Sequence, residues 1–563
     1  MNKIQLSIIT TTLLVGSSLL GATPPSSSDI LRQAKPVTIE KKESIIPEIK
    51  APSYKAPMVA DKGLKIGVKG FTISNNTVFS DKELQELIKE YVGKELTFNQ
   101  LNEVASIITK HYRNKGYFVA RAYIPAQELS KTDAIVEIAI VEGLYGNFTI
   151  QNSSLVQDKS LHGYMNKLTN GEVISSKSLD RQMLIIDDLS GVSVTNIEIL
   201  PGSEVGKSDF NIKTEAEPKY TGYAIADNYG SRYTGEYRLN VAGNINSLTK
   251  RGDTLGLSVL GSNTAEMKNG RLSYSTPLGY SGFTLDSSLA FTTYELGKEF
   301  ENLDIKGKST VFDIGVNYPI IKTRTHTLET SLIYTFKNSV DEDNYQSNRE
   351  KKINSAKLSL SDSLKTVFFG KSGMAKSSIS LTAGKVNLND YAKTIDTINA
   401  DGGYSKLNLS FSQNQSLGKN FSLLGSVSGQ IALERNLDGG EDFSAGGAYG
   451  VRAYTDSELS GDKGYLASLE LSYQLPVLKG INHSISTFLD HAKVWDNKED
   501  VASVSPQSRL LSDVGVGYNL AYKDLSLKLS YAHGFGSKDE RTPTADGTNT
   551  NLNRAFVQAM MRF

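Results

Sequence analysis

Hydrophobic and polar residues alternate along the chain from residue 219 to the last residue, Phe563. At positions 525–531, for example, leucines and a tyrosine occupy the odd positions, while serines and a lysine occupy the even ones. A period of two residues predicts a β-strand with one apolar face, because successive side chains point to opposite sides of a strand. A soluble β-sandwich can show the same alternation. Here, however, segments of about ten residues recur, which is the length of a membrane-spanning strand.

The number and spacing of these segments predict a closed transmembrane barrel. We count about sixteen segments, an even number that is typical of bacterial outer-membrane barrels. The short connectors are 248–251, 278–281, 416–418 and 476–480, and the long ones are 296–307, 338–352, 387–401, 434–463 and 535–553. Short periplasmic turns and long external loops produce this rhythm. The pattern therefore predicts an all-β transmembrane barrel of about 16 antiparallel strands over residues 219–563.

The last predicted strand carries a candidate signal for barrel assembly. Alternate residues share one apolar face, namely Ala555, Val557, Ala559, Met561 and Phe563. An outer-membrane strand needs one such face toward lipid rather than a continuous apolar run. We therefore expect Met561 and Phe563 to act in the insertion of the barrel into the outer membrane.

The amino-terminal residues predict export of the chain. Residues 1–22 combine a lysine at position 3, a mostly apolar run at 4–20 and small residues near Ala22, which is typical of a cleaved secretory signal peptide. A membrane anchor is the alternative, although polar residues within the run weaken it. Residues 23–62 contain six prolines and predict a flexible linker. Within this linker, 28–34 could form a short plug helix that Pro36 ends.

Between the linker and the barrel, 63–143 and 144–218 each predict a compact α+β domain. The first domain has a predicted strand at 64–73, helices at 81–92 and 98–115, and strands at 118–124 and 134–142. The second has a strand at 146–151, helices at 161–168 and 176–188, and strands at 192–200 and 210–217. Apolar residues at positions 101, 104, 105, 108 and 112 lie on one face of a helix, so this helix is expected to cover a small sheet.

Composition and motifs exclude several classes of function. The 61 basic and 61 acidic residues cancel, and no basic stripe predicts binding to nucleic acid. The absence of cysteine excludes disulfides and thiolate chemistry. The six histidines lack metal-ligand spacing, and neither a nucleophile elbow nor a complete phosphate-binding loop is present. We therefore expect no enzymatic activity, no cofactor and no metal.

Two short motifs stand out from the alternating pattern. The first lies in the longest predicted external loop and the second on the lumen-facing side of a strand: Val451, Arg452, Ala453 and Tyr454, and Phe488, Asp490 and Ala492. A carboxylate inside a barrel needs a cation, and an arginine on an infolded loop can bind it with two hydrogen bonds. Arg452 and Asp490 are therefore a candidate pair. The alternative is a solvated loop arginine and a wall aspartate with local partners.

These motifs resemble those of a known family. Residues 451–454 are similar to the V-R-G-Y loop motif, and 488–492 to the F-x-D-x-G strand motif, of two-partner secretion transporters, the haemolysin and haemagglutinin secretion and activation proteins. The two α+β domains look like the POTRA domains of that family. The order of signal, linker, two POTRA domains and barrel, with the loop motif between strands eleven and twelve, covers nearly the whole mature chain. The resemblance implies a lumenal latch between Arg452 and Asp490.

Two features depart from the family pattern. At the two positions where the family motifs have glycine, this chain has alanine, at 453 and 492. Glycine adopts some backbone angles that alanine rarely adopts, so these differences concern the backbone conformation of both motifs. The amino-terminal plug helix of the family is long, whereas 28–34 is short.

The resemblance implies a pore in the outer membrane of a Gram-negative bacterium, with periplasmic POTRA domains that capture an unfolded secreted protein for translocation to the cell surface. The expected partners are a large exoprotein of the haemagglutinin or haemolysin type, outer-membrane lipid, and the barrel assembly machinery during biogenesis. Nucleic acid is not an expected partner. An outer-membrane protein insertion and assembly factor is the alternative. A passive porin or a nutrient receptor fits less well, because porins have no use for POTRA domains and receptors need a larger plug.

Overall fold

The structure is a computed structural model that describes residues 30, 31, 33, 34, 46 and 47, and the ranges 65–168, 171–263, 266–345, 347–456, 459–499, 508–535 and 553–563. The predicted signal peptide, 1–22, lies outside the described residues, as does most of the predicted linker, 23–62. No helix within the described residues has the length and apolar character needed to cross a membrane.

The first α+β domain contains a four-stranded sheet covered by two helices. In chain order its elements are β1 (Lys65–Ser74), α1 (Asp81–Ile88), β2 (Glu95–Thr97), α2 (Phe98–Asn114), β3 (Arg121–Tyr123) and β4 (Ala134–Val141). The strand order is β2-β1-β4-β3. A capping box fixes the start of α2, because the side chains of Thr97 and Gln100 each accept a hydrogen bond from the other's backbone N–H. The predicted apolar face of α2 is buried against the sheet.

The second α+β domain has a three-stranded sheet. Its elements are β5 (Leu144–Ser153), α3 (Asp158–Met165), α4 (Ser176–Asp187), β6 (Ser193–Pro201) and β7 (Lys207–Glu215), with the strand order β5-β7-β6. The predicted helix 161–168 is wrong by three residues at each end. Asp158 lies in the first turn of α3, where a carboxylate is stabilised by the helix dipole.

A closed barrel follows, which confirms the predicted fold class. Its sixteen antiparallel strands are β8 (Tyr220–Asp227), β9 (Arg238–Asn246), β10 (Thr254–Ser262), β11 (Met267–Leu278), β12 (Phe283–Glu295), β13 (Lys306–Lys322), β14 (His326–Glu342), β15 (Asn348–Phe368), β16 (Lys371–Leu388), β17 (Gly402–Gly418), β18 (Phe421–Ala432), β21 (Lys463–Gln474), β22 (Asn482–Trp495), β23 (Ser508–Tyr522), β24 (Leu525–Phe535) and β25 (Asn553–Arg562). Two further strands of two residues each, β19 (Phe443–Ser444) and β20 (Ser460–Gly461), lie in the loop between β18 and β21 and are not part of the barrel wall.

One predicted external loop is wrong. The polar segment 338–352 is mostly strand, because β14 continues to Glu342 and β15 begins at Asn348. The two strands stay paired to their tips, with Glu342 opposite Asn348. Strands that extend beyond the membrane keep their ladder hydrogen bonds but need no apolar face, so the loss of alternation does not mark the end of a strand.

The barrel closes where β25 pairs with β8. This seam has five residue pairs, from Arg562 opposite Tyr223 to Gln558 opposite Asp227. Phe563 extends the seam by two backbone hydrogen bonds to Gly222: Gly222 N donates to Phe563 O at 2.7 Å, and Phe563 N donates to Gly222 O at 3.1 Å. The last residue therefore contributes directly to closure.

Deleting Phe563 is expected to lower the fraction of barrel that inserts, because both hydrogen bonds to Gly222 are lost. Met561 is 56% exposed on the outer wall. Met561→Arg should also impair insertion, since a lipid-facing cation costs about 2–4 kcal/mol at the membrane midplane and less toward the interface. The measurement is the fraction of the transporter in outer-membrane preparations that is a folded barrel, seen as a heat-modifiable band. Arg562→Lys is the control, and normal insertion of the two test variants would contradict this role.

Candidate functional site

The loop between barrel strands eleven and twelve folds back into the lumen. β19 and β20 pair with each other within this loop, and Val451 N donates a hydrogen bond to Ala445 O at 2.7 Å. An apolar cluster joins the loop to the inner wall. Its fully or almost fully buried members are Ala445, Val451, Ala453, Tyr454 and Leu459 from the loop, and Phe488, Ala492, Val494, Leu511 and Ala532 from the wall. Both sequence motifs therefore meet in one buried cluster.

Arg452 lies at the centre of this contact and binds Asp490 through two hydrogen bonds. Its Nε is 2.7 Å from Asp490 Oδ2, and its Nη2 is 3.0 Å from Asp490 Oδ1. Ser468 Oγ donates to Asp490 Oδ1 at 2.6 Å, while Arg452 Nη1 donates to Glu470 Oε2 at 2.9 Å. The side chain of Asp490 is 1% exposed, and that of Arg452 is 16% exposed. Two-pronged bonding in a buried setting fixes the orientation of the guanidinium as well as its position.

Phe488 supports the guanidinium from one side. The Cζ atom of Arg452 lies 3.2 Å from the centroid of the Phe488 ring. The same ring also lies against the neighbouring strand at Gly515, where an added Cβ would collide with it. The phenylalanine of the strand motif therefore depends on a glycine one strand away.

Asp513 holds the backbone of the loop motif next to this ion pair. It lies directly opposite Asp490 across β22 and β23, and its Oδ2 accepts a hydrogen bond from Ala453 N at 2.6 Å. Neither Ala453 nor Ala492 has a positive φ. The glycines of the family motifs are therefore not required by the backbone conformation at these two positions.

A second group of ion pairs holds the outer part of the same loop. Glu441 lies between two lysines of the inner wall: its Oε1 is 3.1 Å from Lys337 Nζ, and its Oε2 is 2.9 Å from Lys406 Nζ. Asp438 binds Lys351, with both carboxylate oxygens 2.8 Å from Nζ. We call these five residues the lysine anchor. Its three lysines lie on β14, β15 and β17, so the anchor attaches the loop to the inner faces of these strands.

The described part of the predicted linker helix also lies inside the barrel. Residues 30, 31 and 33 are helical, and Ile30 is fully buried in an apolar cluster with lumen-facing residues of β10–β12. Gln33 O accepts a hydrogen bond from Arg238 Nη1 at 2.9 Å, while Arg238 pairs with Asp227. The barrel wall thus supplies contacts that a short isolated helix lacks.

The structure brings Arg452 and Asp490 together but leaves Met561 and Phe563 at the seam, away from the loop. Sequence reasoning missed Ser468, Glu470 and Asp513. Glu470 carried a usable signal, because it is a carboxylate at a lumen-facing position of an otherwise regular strand. Asp513 carried the same signal, but only the strand register shows that it and Ser468 lie at the level of Asp490.

The fold and this site define the class of protein: a sixteen-stranded outer-membrane barrel with an infolded loop and two POTRA domains in the periplasm. Residues 206–520, more than half of the chain, match the family model for haemolysin secretion/activation protein ShlB/FhaC/HecB, and 66–143 match a POTRA domain of the ShlB type. The chain belongs to this family of two-partner secretion transporters, which translocate secreted partner proteins across the outer membrane. The resemblance stated from the motifs is thereby confirmed.

Similar proteins agree with this assignment over most of the chain. The heme/hemopexin transporter protein HuxB of Haemophilus influenzae is 29% identical over 531 residues, covering 92% of each chain. The outer membrane transporter CdiB of Dickeya dadantii is 25% identical and covers 91% of this chain and 95% of its own. The solved structure of CdiB from Escherichia coli has the same fold, with a TM-score of 0.73 at 19% identity over 91% of this chain and 93% of its own. The family match favours secretion over the insertion-factor, porin and receptor alternatives.

Proposed function

We propose that this transporter captures an extended segment of its partner at the second POTRA domain and passes it through the lumen unfolded, while a latch formed by Arg452 and Asp490 keeps the loop 433–462 on the inner wall. The observation that carries the latch proposal is the two-pronged bond between these residues in a buried site. Met561 and Phe563 act in assembly and not in transport. The transporter supplies a path and performs no catalytic chemistry on its partner.

The partner segment would be captured by strand addition at β6. This strand is at one end of the sheet order β5-β7-β6, and its described strand partner is β7 alone. Thr195 and Glu198 are exposed along it. An edge strand offers a row of backbone donors and acceptors to an extended peptide, which binds through main-chain hydrogen bonds. An unfolded protein can therefore bind there with low sequence specificity.

Cross-linking tests this capture. The chain has no cysteine, so Glu198→Cys introduces a single thiol on β6. We expect it to cross-link to cysteines placed along the amino-terminal segment of the partner during export in intact cells. Thr149→Cys, exposed on β5 at the other edge of the sheet, is the matched control and should not cross-link. Equal cross-linking at both edges, or none at residue 198, would contradict capture at β6.

The proposed partner is a large secreted exoprotein of the haemagglutinin or haemolysin type. The names of similar proteins support this class: one is the hemolysin transporter protein ShlB of Serratia marcescens, 23% identical over 87% of this chain and 85% of its own. Outer-membrane lipid and the barrel assembly machinery are the other proposed partners, and nucleic acid is not one. Folding of the exoprotein outside the cell would bias its movement outward.

Transport would also require the amino-terminal helix to leave the lumen. Its contacts with the wall are specific: Ile30 is buried among apolar side chains, and the side-chain oxygen of Gln33 accepts hydrogen bonds from Ser231 N at 3.3 Å and Thr234 Oγ1 at 3.4 Å. A polypeptide that enters the lumen has to displace these contacts. We therefore propose that this helix acts as a plug in the resting state.

A further inference from the structure

A second cluster of charged and aromatic residues lies on the outer wall of the barrel. Cross-strand pairing places Lys463 opposite Trp495, and Tyr465 opposite Lys493, on β21 and β22. Lys463 and Tyr465 have the strand parity of Leu469 on β21, and Lys493 and Trp495 have that of its pairing partner Leu489 on β22; the two leucines are 49% and 48% exposed on the lipid-facing wall. The cluster therefore faces the membrane and not the polypeptide in transit.

This cluster lies at the extracellular end of the barrel. Lys463 begins β21 directly after the loop 433–462, and Trp495 ends β22, whereas the turn 475–481 joins the two strands at their periplasmic end. Tyrosine, tryptophan and lysine are typical of the membrane–water interface. The lipid at this level is the outer leaflet, where lipid A carries phosphate groups on a disaccharide.

The two lysines converge on one indole ring. Lys463 Nζ lies 4.8 Å from the centroid of the Trp495 ring, and Lys493 Nζ lies 5.0 Å from it. The negative face of the ring orients both ammonium groups but does not neutralise them. Among the described residues, no carboxylate lies within ion-pair distance of either Nζ. Two like charges held together in this way favour an anion from outside the protein.

Three other outward-facing lysines at the same end of the barrel differ in this respect. Lys306 Nζ is 2.8 Å from Asp304, Lys308 Nζ is 3.8 Å from Glu342, and Lys352 Nζ is 2.9 Å from Glu350. Each of these charges has a carboxylate partner within the chain. Lys268 and Lys385 also face outward at this end without a carboxylate partner among the described residues, but neither lies over an aromatic ring. Among the described residues, two such lysines converge on one ring only at Trp495.

Hydrogen-bonding side chains continue the cluster toward the membrane. The Tyr465 hydroxyl is 3.1 Å from His491 Nε2, and His491 Nδ1 is 2.9 Å from Ser512 Oγ. Aromatic rings beside paired cations suit a ligand that has an anionic group on a sugar, because a ring can stack on the sugar while the cations bind the phosphate. An acyl chain alone would need none of these polar groups.

We propose that Lys463 and Lys493 bind a phosphate group of lipid A, with Trp495 and Tyr465 against the disaccharide. The opposite faces of the same two strands carry Glu470 and Asp490, which hold Arg452 in the lumen. A lipid bound outside would therefore fix the position of the strands that carry the latch.

The fluorescence of Trp495 tests the proposal, because it is the only tryptophan in the chain. Full-length protein in neutral detergent is titrated with bis-phosphorylated lipid A and with the same lipid A after both phosphates are removed. We expect a saturable change in fluorescence, with half-saturation at about tenfold lower concentration for the phosphorylated lipid, since each lysine near an anionic surface strengthens binding. The double variant Lys463→Gln, Lys493→Gln should lose this difference.

The matched control is Lys308→Gln with Lys352→Gln, which removes two outward-facing lysines that already have carboxylate partners and should keep the preference for phosphate. Equal affinity of the unmodified protein for the two lipids would overturn the proposal, because it would show acyl-chain contact only. This comparison needs no variant and therefore holds even if the double variant fails to insert. A phosphate preference that survives in an inserted double variant would overturn it as well.

Discussion

Export of the partner is expected to fall by about tenfold or more in Arg452→Ala and in Asp490→Ala, while the barrel still inserts. Both substitutions remove the two-pronged bond: Arg452→Ala leaves the carboxylate of Asp490, which is 1% exposed, without its cation, and Asp490→Ala leaves Arg452 with Glu470 alone. Loss of one partner of a buried ion pair costs about 3–5 kcal/mol, enough to release the loop from the wall. The measurement is the amount of partner at the cell surface per inserted transporter.

The two substitutions should not be additive. If Arg452 and Asp490 act as one unit, the double variant exports no less than the worse single variant. Arg271→Ala is the control, because Arg271 also pairs with a wall carboxylate, that of Asp313, but contacts no part of the loop motif. Strictly additive losses, or an equal loss in the control, would show that the pair has no special role.

The second large effect is expected at the lysine anchor. Glu441→Gln leaves the ammonium groups of Lys337 and Lys406 without their carboxylate, and side chains of all three residues are at most 14% exposed. We expect export to fall about three- to tenfold and the current through single pores in planar bilayers to fluctuate, because the outer part of the loop loses its attachment. Glu434→Gln, an exposed glutamate of the same loop, is the matched control. Steady current and normal export in Glu441→Gln would remove the anchor from the mechanism.

The same anchor has a defined pH dependence. Burial raises the pKa of Glu441, but the charges and hydrogen bonds of Lys337 and Lys406 outweigh it and lower the pKa from 4.5 to about 2. A carboxyl group whose pKa is lower in the folded state than in the unfolded state contributes its full stabilisation when the pH is above the unfolded-state pKa. This stabilisation is lost as the pH falls toward the folded-state pKa. The current through the unmodified pore should therefore stay steady down to about pH 5 and fluctuate only below about pH 4.5.

The barrel could be predicted from the sequence because lipid imposes a simple rule on each strand. Apolar residues such as Leu469 and Leu529 face lipid at every second position, and no long-range information is needed to see this. The rule fails beyond the membrane, where β14 and β15 stay paired through polar residues up to Glu342 and Asn348.

The partners within the lumen were harder to predict. Strand parity places Glu470 and Asp513 on the inner wall, but only the register of the closed barrel places them beside Arg452 and Ala453. The lysine anchor joins residues 35, 87 and 104 positions apart along the chain, with no local pattern to mark them. From the sequence alone, the short helix at residue 30 is expected to be only marginally stable, because the barrel wall that buries it lies far away in sequence.

The attachment of the loop motif by Arg452 is the central claim, and one cross-linking measurement tests it most directly. Ala453→Cys with Asp513→Cys places two thiols where Ala453 N now lies 2.6 Å from Asp513 Oδ2, and leaves Arg452 and Asp490 intact. In a chain without other cysteines, this pair should form a disulfide in the outer membrane, and adding Arg452→Ala should largely abolish it. Absence of the disulfide while Arg452 is present, or the same yield after its removal, would contradict the account.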